Sequence, residues 1–361
     1  MNKLNVLVVE DSPVAQLLLV HILNSDPRLH VFGTANNGEE ALEFLKRNKP
    51  DVIVMDIHMP GMDGYEATRK IMETHPVPIV VCSASLNPAE VATTFRALEA
   101  GAVALVAKPV GLGHEEYENM AGKLVETVKL MSEVRVVKRW PRSRTPGALA
   151  AVSPPPELKP SEVVIKVIAI GTSTGGPPVL QTILAGLPRD FPIPVLIVQH
   201  IAAGFLPGLI EWLNQTSGVP IRLAVHGEAL LPGCAYVAPD GHHLGLDGFG
   251  KIGLSKQEPE NGLRPSVSYL FRSVAAVHGK GAVGVLLTGM GRDGAEELKL
   301  LNEMGAVTIA QDAESSVVHG MPGEAIRLGA ATYVLAPDKI PAVLAGLVAK
   351  KSADALAAPR F

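Results

Sequence analysis

The sequence predicts two α/β units, each built on a mostly parallel sheet and joined by a linker. Three observations lead there. Short, continuous apolar runs rich in β-branched residues recur along the chain, separated by stretches with helical spacing. Strands that are apolar on both faces belong to sheets covered on both sides, which is the habit of parallel sheets. A stretch rich in Pro, Ala and Arg, from about Ser132 to Glu162, interrupts the alternation and has no sustained apolar period. Finally, 361 residues are enough for two ordinary cores.

The first unit spans residues 1–131. Its strands are read at residues 4–9 (LNVLVV), 30–35 (HVFGTA), 51–56 (DVIVMD), 77–82 (VPIVVC) and 102–107 (AVALVA). Pro13 stands just inside the first helix, where a missing N–H is tolerated. Pro60, Gly61 and Gly64 mark the loop after the third strand. The opening MNKLNVLVVEDSP is apolar only from Leu4 to Val9 before two acids, so it reads as a buried strand and not as a signal peptide.

Loops that follow parallel strands share one edge of the sheet. Glu10 and Asp11 follow the first strand, Asp56 ends the third, Ser83 follows the fourth and Lys108 the fifth, so all five converge there. Three crowded carboxylates repel one another and favour a hard cation such as Mg²⁺. A metal-bound Asp56 could attack a phosphoryl donor, with the cation and Lys108 neutralising the developing charge; the Ser83 hydroxyl could then hydrogen-bond the phosphoryl group and pull its loop inward.

The segments VVEDSP, DVIVMDIHMPGMDG, CSAS and AKP, in this order, resemble the receiver domain of two-component response regulators. The resemblance covers the first 125 or so residues and implies a five-stranded, flavodoxin-like fold. It further implies Asp56 as phosphoacceptor, Ser83 and Lys108 as switch residues, and Glu10, Asp11, Asp56 and the carbonyl of His58 as Mg²⁺ ligands. One position departs: Leu105 stands where receivers often carry an aromatic switch residue.

Residues 132–162 read as a linker, extended around Pro154, Pro155 and Pro156. Arg135, Lys138, Arg139, Arg142 and Arg144 cluster with Trp140. The cluster is either a solvated linker or a docking patch for an acidic partner.

The second unit spans residues 163–349, with a loose tail expected at 350–361. Strands are read in VVIKVIAIG, IPVLIVQH, IRLAV, CAYVAP, AVGVLLTG, AVTIAQD and TYVLAP, and helices in PPVLQTILAGL, RDGAEELKLLNEMG and PGEAIRLG. This predicts a doubly wound, Rossmann-like and mostly parallel sheet, with an antiparallel excursion around residues 220–255.

Gly171-Thr-Ser-Thr-Gly-Gly176 follows an apolar run and precedes a helical pattern. Such a turn can hold a phosphate at a helix N-terminus or expose a nucleophilic serine beside backbone N–H donors. Its spacing matches neither a P-loop, nor a dinucleotide fingerprint, nor the G-x-S-x-G elbow. The other strand ends decide between these readings. His200 closes IPVLIVQH, and Asp293 lies in the glycine-rich loop after AVGVLLTG. A serine needs a base, and the base needs an orienting acceptor, so Ser173, His200 and Asp293 on one edge supply what acyl transfer requires.

The segments IGTSTGG, VQH, VAP, RPSV, LLTGMGRDGA and AQDAESSVVHGMPGEAI resemble the protein-glutamate methylesterases of bacterial chemotaxis, the CheB family, which also carry an N-terminal receiver. The resemblance implies Ser173 as nucleophile, His200 as general base and then acid, and Asp293 as orienting carboxylate. Oxyanion donors would be backbone N–H groups near Thr174 and Met290. The implied substrates are γ-glutamyl methyl esters on methyl-accepting receptors, with glutamine deamidation as a second activity. A chemotaxis histidine kinase would be the phosphodonor, and no cofactor would serve the esterase reaction. Thr172, Ile201, Ala202 and Ser268 depart from residues common in the family, and none of them is a triad member. From the domain order, the unphosphorylated receiver is expected to restrain the hydrolase and phosphorylation to release it.

Other features narrow the choice. The net charge of −4 gives no general footprint for nucleic acid. No apolar run approaches the roughly 20 residues that span a bilayer. Cys82 and Cys234 are the two cysteines and cannot form a disulfide framework, so a reducing cytosol is the default expectation. A monomer is expected as well. His242 and His243 are adjacent and would face opposite sides of a strand, which argues against a shared metal. The competing reading is a receiver that regulates a nucleotide- or protein-binding module without hydrolysis.

Overall fold

A computed structural model describes residues 3–84, 88–134, 136 and 163–356. The basic cluster and the proline run of the expected linker lie outside these residues. The chain divides into two compact units, Met1–Pro146 and Gly147–Phe361.

The first unit alternates strands β1 (Leu4–Val9), β2 (Leu29–Ala35), β3 (Val52–Met55), β4 (Ile79–Ser83) and β5 (Ala104–Ala107) with helices α1 (Pro13–Ser25), α2 (Gly38–Leu45), α3 (Gly64–Thr74), α4 (Pro88–Ala100) and α5 (Tyr117–Ser132). The strand order is β2-β1-β3-β4-β5, all parallel. Each expected strand is present. Buried Val6, Val8, Val52, Val54 and Val80 explain why these runs are apolar without alternation. Ser12, Asn37 and Asp63 accept the first free N–H groups of α1, α2 and α3 through their side chains, which fixes where each helix begins. β1 pairs with β2 on one side and β3 on the other, so the crevice between the ends of β1 and β3 is the topological switch point.

The second unit holds a seven-stranded sheet in the order β14-β13-β12-β6-β7-β9-β8. Its strands are β6 (Val167–Thr172), β7 (Val195–Gln199), β8 (Ile221–Leu223), β9 (Ala235–Val237), β12 (Ala282–Leu286), β13 (Val307–Gln311) and β14 (Tyr333–Leu335). A separate hairpin pairs β10 (His243–Leu246) with β11 (Ile252–Ser255). The helices are α6 (Gly176–Gly186), α7 (Leu206–Thr216), α8 (Val267–His278), α9 (Ala295–Glu303), α10 (Met321–Arg327) and α11 (Ile340–Leu356). The last of these runs on through the start of the segment read as a tail.

One expectation needs correction. The antiparallel excursion is β10 with β11 and a single bridge between Ala229 and Lys251, because β8 and β9 join the main sheet in parallel. All three residues of β9 are buried. A strand apolar on both faces is placed inside a covered sheet, between β7 and β8, not on a half-exposed ribbon. The hairpin instead packs on α8, where Leu244 and Ile252 join Leu270, Phe271 and Val274 in the core. β6 lies at the centre, and the order reverses between it and β12, so the second switch point lies at their carboxyl ends.

Candidate active site

In the first unit, Glu10, Asp11 and Asp56 bring one carboxylate oxygen each within 4.8 Å of one another. Glu10 and Asp56 are buried. Lys108 Nζ lies 2.7 Å from Glu10 Oε2 and 3.1 Å from Asp56 Oδ2. Burial pushes the Glu10 carboxyl above its ordinary range; contact with Lys108 pulls it back and the Asp56 charge adds to the rise. Burial works against the Lys108 ammonium, but contact with Glu10 and the charge of Asp56 outweigh it and hold the lysine raised. Ser83 is the last residue of β4, and its carbonyl accepts the Lys108 N–H at 2.8 Å. His58 lies two residues past Asp56 and is exposed, in the loop before α3. Leu105 is half-buried on β5. The cluster is an all-oxygen donor set of the kind hard cations take.

The second site is built from three adjacent strand ends. Ser173 follows β6, His200 follows β7, and Asp293 lies beyond β12. Main-chain pairing continues past the strands: His200 N donates to Thr172 O at 2.9 Å, and Ser173 N donates to Thr288 O at 3.0 Å. Glycines make the close approach feasible. A Cβ on Gly289 would lie 2.7 Å from Ser173 Cβ, and Gly175, at φ +79°, would strike Val317. Thr288 locks the turn from behind, because its hydroxyl donates to Thr174 O at 3.0 Å and accepts from Val318 N at 3.0 Å.

Asp293 is almost wholly buried and held by three donors. Oδ1 accepts from Ser266 Oγ at 2.9 Å and Ser268 N at 3.1 Å, and Oδ2 accepts from Val267 N at 2.7 Å. These donors are the N-cap and first turn of α8, a setting that favours an anion. His200 Nε2 lies 3.1 Å from Asp293 Oδ2. Burial pushes the Asp293 carboxyl up, but contact with His200 and the α8 N–H groups prevails and brings it down to about 2. His200 Nε2 is buried, and its contact with Asp293 Oδ2 falls outside regular hydrogen-bond geometry. Among the described residues no hydrogen bond joins Ser173 Oγ to the ring. Such bonds are often open without substrate and close in the reacting complex. The backbone N–H groups of Thr174 and Met290 have no acceptor among the described residues.

All residues expected at the two sites therefore fall on the two sheet edges, and the pair His200–Asp293 is in contact. Sequence reasoning missed the support around them. Ser266 follows Pro265 and opens an apolar helical period, which is a legible N-cap signature. Ser268 accepts the Gly294 N–H at 2.9 Å through its hydroxyl. Gln199 and Thr288 had no signal beyond their place at strand ends. His242 and His243 do part: His242 is half-buried, whereas His243 is buried, stacks on Tyr269 and accepts the Ser266 N–H.

Comparison with known proteins agrees with this geometry. Residues 168–344 match the family model for CheB methylesterase, and residues 6–115 match that for the response regulator receiver domain. A protein-glutamate methylesterase/protein-glutamine glutaminase of Nitrosospira multiformis is 54% identical over 98% of this chain and 100% of its own. A relative of the same name in Geobacter metallireducens is 57% identical over 96% of this chain and 99% of its own. The crystal structure of the Thermotoga maritima CheB methylesterase catalytic domain matches with a TM-score of 0.50 and 40% identity, covering 52% of this chain and all of that one. Full-length similarity, both domains and both sites together place the chain in the protein-glutamate methylesterase/protein-glutamine glutaminase (CheB) family, with an N-terminal response regulator receiver domain.

Proposed function

We propose that this protein is a phosphorylation-activated serine hydrolase that removes methyl esters from glutamate side chains of methyl-accepting chemotaxis receptors and deamidates receptor glutamines. The observation that carries the reading is Asp293, buried, anionic at the head of α8 and 3.1 Å from His200, on the sheet edge that also holds Ser173. Because Nε2 of His200 faces Asp293, Nδ1 is the nitrogen left to take the Ser173 proton.

Ser173 Oγ attacks the ester carbonyl while His200 accepts its proton, and Asp293 stabilises the resulting imidazolium. The N–H groups of Thr174 and Met290 receive the oxyanion. His200 then returns the proton to the departing methoxyl oxygen, releasing methanol and leaving a glutamyl-Ser173 ester. A water molecule, deprotonated by His200, hydrolyses that ester to glutamate and restores the serine. With glutamine the leaving group is ammonia.

In the receiver, a phosphoryl group passes from a phosphohistidine of a chemotaxis histidine kinase to an Asp56 oxygen. Glu10, Asp11, Asp56 and the His58 carbonyl would hold Mg²⁺, which neutralises charge on the transferring group. Lys108 and Ser83 then engage the phosphorylated carboxylate, and restraint on hydrolysis is released. The enzyme acts on the cytoplasmic part of the receptors. No helix among the described residues is long and apolar enough to cross a membrane.

The test is methanol release from methylated receptor membranes, for wild type and Ser173→Ala, with and without a small phosphodonor and Mg²⁺. Release that rises with the phosphodonor and vanishes in the variant is expected. Equal release from the variant would overturn the assignment of the nucleophile, and release indifferent to the phosphodonor would overturn the regulation.

A further inference from the structure

Gln199 closes β7 as the polar residue of an otherwise apolar run, and it is 4% exposed. Its Nε2 donates at 2.8 Å to the carbonyl of Ser173 and at 2.8 Å to the carbonyl of His200. An amide nitrogen has two N–H groups, and here one goes to each. Two carbonyl oxygens can be met only by the NH₂ end, so the orientation of the side chain is fixed by these contacts. Its oxygen gains nothing from it: Oε1 is buried without a partner. It rests over Gly176, where a Cβ would come within 2.3 Å of both Oε1 and Thr172 Oγ1. An unpaired buried acceptor is unfavourable, so the two donated bonds are what hold the amide in this pose.

Those bonds join the two reacting residues through their main chains. Ser173 is suspended between neighbours, with its N–H on Thr288 O of the β12 side and its carbonyl on Gln199 of the β7 side. That carbonyl has a second donor in Gly176 N at 2.9 Å. The His200 carbonyl has only Gln199 among the described residues. His200 is also where the chain leaves the sheet, so its ring attitude toward Asp293 depends on a main chain held by one N–H above and one amide below.

We infer that Gln199 is a positioning residue, which sets the separation and relative attitude of the Ser173 nucleophile and the His200 base. The inference rests on the proposed roles of those two residues. The geometry of Asp293 does not require it, whereas the Ser173 carbonyl shares one peptide plane with the Thr174 N–H, so the same bond also aims that donor.

The test uses the full chain and the variants Gln199→Met, which keeps length but has no donor, and Gln199→Glu. Three quantities are read: kcat and KM for methanol release, the rate of Ser173 labelling by a fluorophosphonate, and the thermal midpoint. Misplacement of reacting groups by about an ångström lowers rates on the order of 10²-fold. Gln199→Met is therefore expected to lose roughly that factor in kcat and in labelling rate, with KM changed by less than about threefold. In Gln199→Glu the carboxylate has no donor and the acid has one. Its relative activity should rise as pH falls, against the wild-type trend in which the base is lost to protonation.

A folded Gln199→Met enzyme with kcat and labelling within about threefold of wild type would overturn the inference, as would a loss confined to KM. Should that variant not fold, Gln199→Glu decides alone: a pH profile parallel to wild type overturns it. Labelling of wild type that is absent in Ser173→Ala upholds the nucleophile whatever the Gln199 variants do. Wild type that is not labelled would remove the nucleophile and this inference together.

Discussion

Replacing Asp293 with Asn isolates the charge at the centre of the proposed hydrolytic site while keeping its shape. The carboxylate accepts Ser266 Oγ and Ser268 N on one oxygen and Val267 N on the other, which also faces His200 Nε2. An amide in the same pose can keep its oxygen under Ser266 and Ser268. Its NH₂ then meets the Val267 N–H, donor against donor at 2.7 Å, and offers a donor to His200 Nε2. That nitrogen would have to accept, so the ring proton moves to Nδ1, where Ser173 needs a base. Turning the amide over opposes its NH₂ to the Ser268 N–H and requires the Ser266 hydroxyl to reverse from donor to acceptor. A wrong tautomer in a triad lowers kcat on the order of 10³- to 10⁴-fold, which is about 4 to 5 kcal/mol in the barrier.

The same change alters stability, with a definite sign. The folded Asp293 carboxyl lies at about 2 against an ordinary 3.8, a depression worth roughly 2 kcal/mol at neutral pH. A depressed acid contributes fully above 3.8 and loses that contribution as pH falls through about 2. Wild type should therefore lose stability relative to Asp293→Asn between pH 4 and pH 2. Methanol release measures the first effect, and urea unfolding across that window measures the second. A folded Asp293→Asn enzyme retaining more than about a tenth of wild-type kcat would refute the triad role, and parallel pH profiles would refute the depressed carboxyl.

Two further outcomes follow from packing. Gly289→Ala should lower kcat more than tenfold and stability by about 1–3 kcal/mol, because the new Cβ would lie 2.4 Å from Met321 Sδ and 2.7 Å from Ser173 Cβ; methanol release and thermal melts check it. Cys82 and Cys234 are both buried, and burial pushes both thiols up, so a colourimetric thiol reagent should find neither in the native protein and both after denaturation.

The sequence alone determined the parallel strands of the first sheet and those of the second outside residues 220–255, and therefore which residues reach the two carboxyl edges. Glu10, Asp11, Asp56, Ser83 and Lys108 were legible because parallel topology turns sequence order into spatial convergence. Ser173, His200 and Asp293 were legible for the same reason, and the expected triad pair His200–Asp293 is in contact. The strand run CAYVAP was visible, but its neighbours were not, since an apolar run says it is covered without saying by what.

Tertiary structure decided what makes these edges chemically active. Asp293 is anionic because the head of α8, reached through Ser266 after a long excursion in the chain, aims its N–H groups at it. Gln199 is an ordinary polar strand terminus in the sequence and becomes a bridge only when β6 and β7 lie side by side. Strand identity follows from local pattern, whereas the charge state and alignment of a catalytic group depend on donors contributed from distant segments, and no local pattern records which of them will arrive.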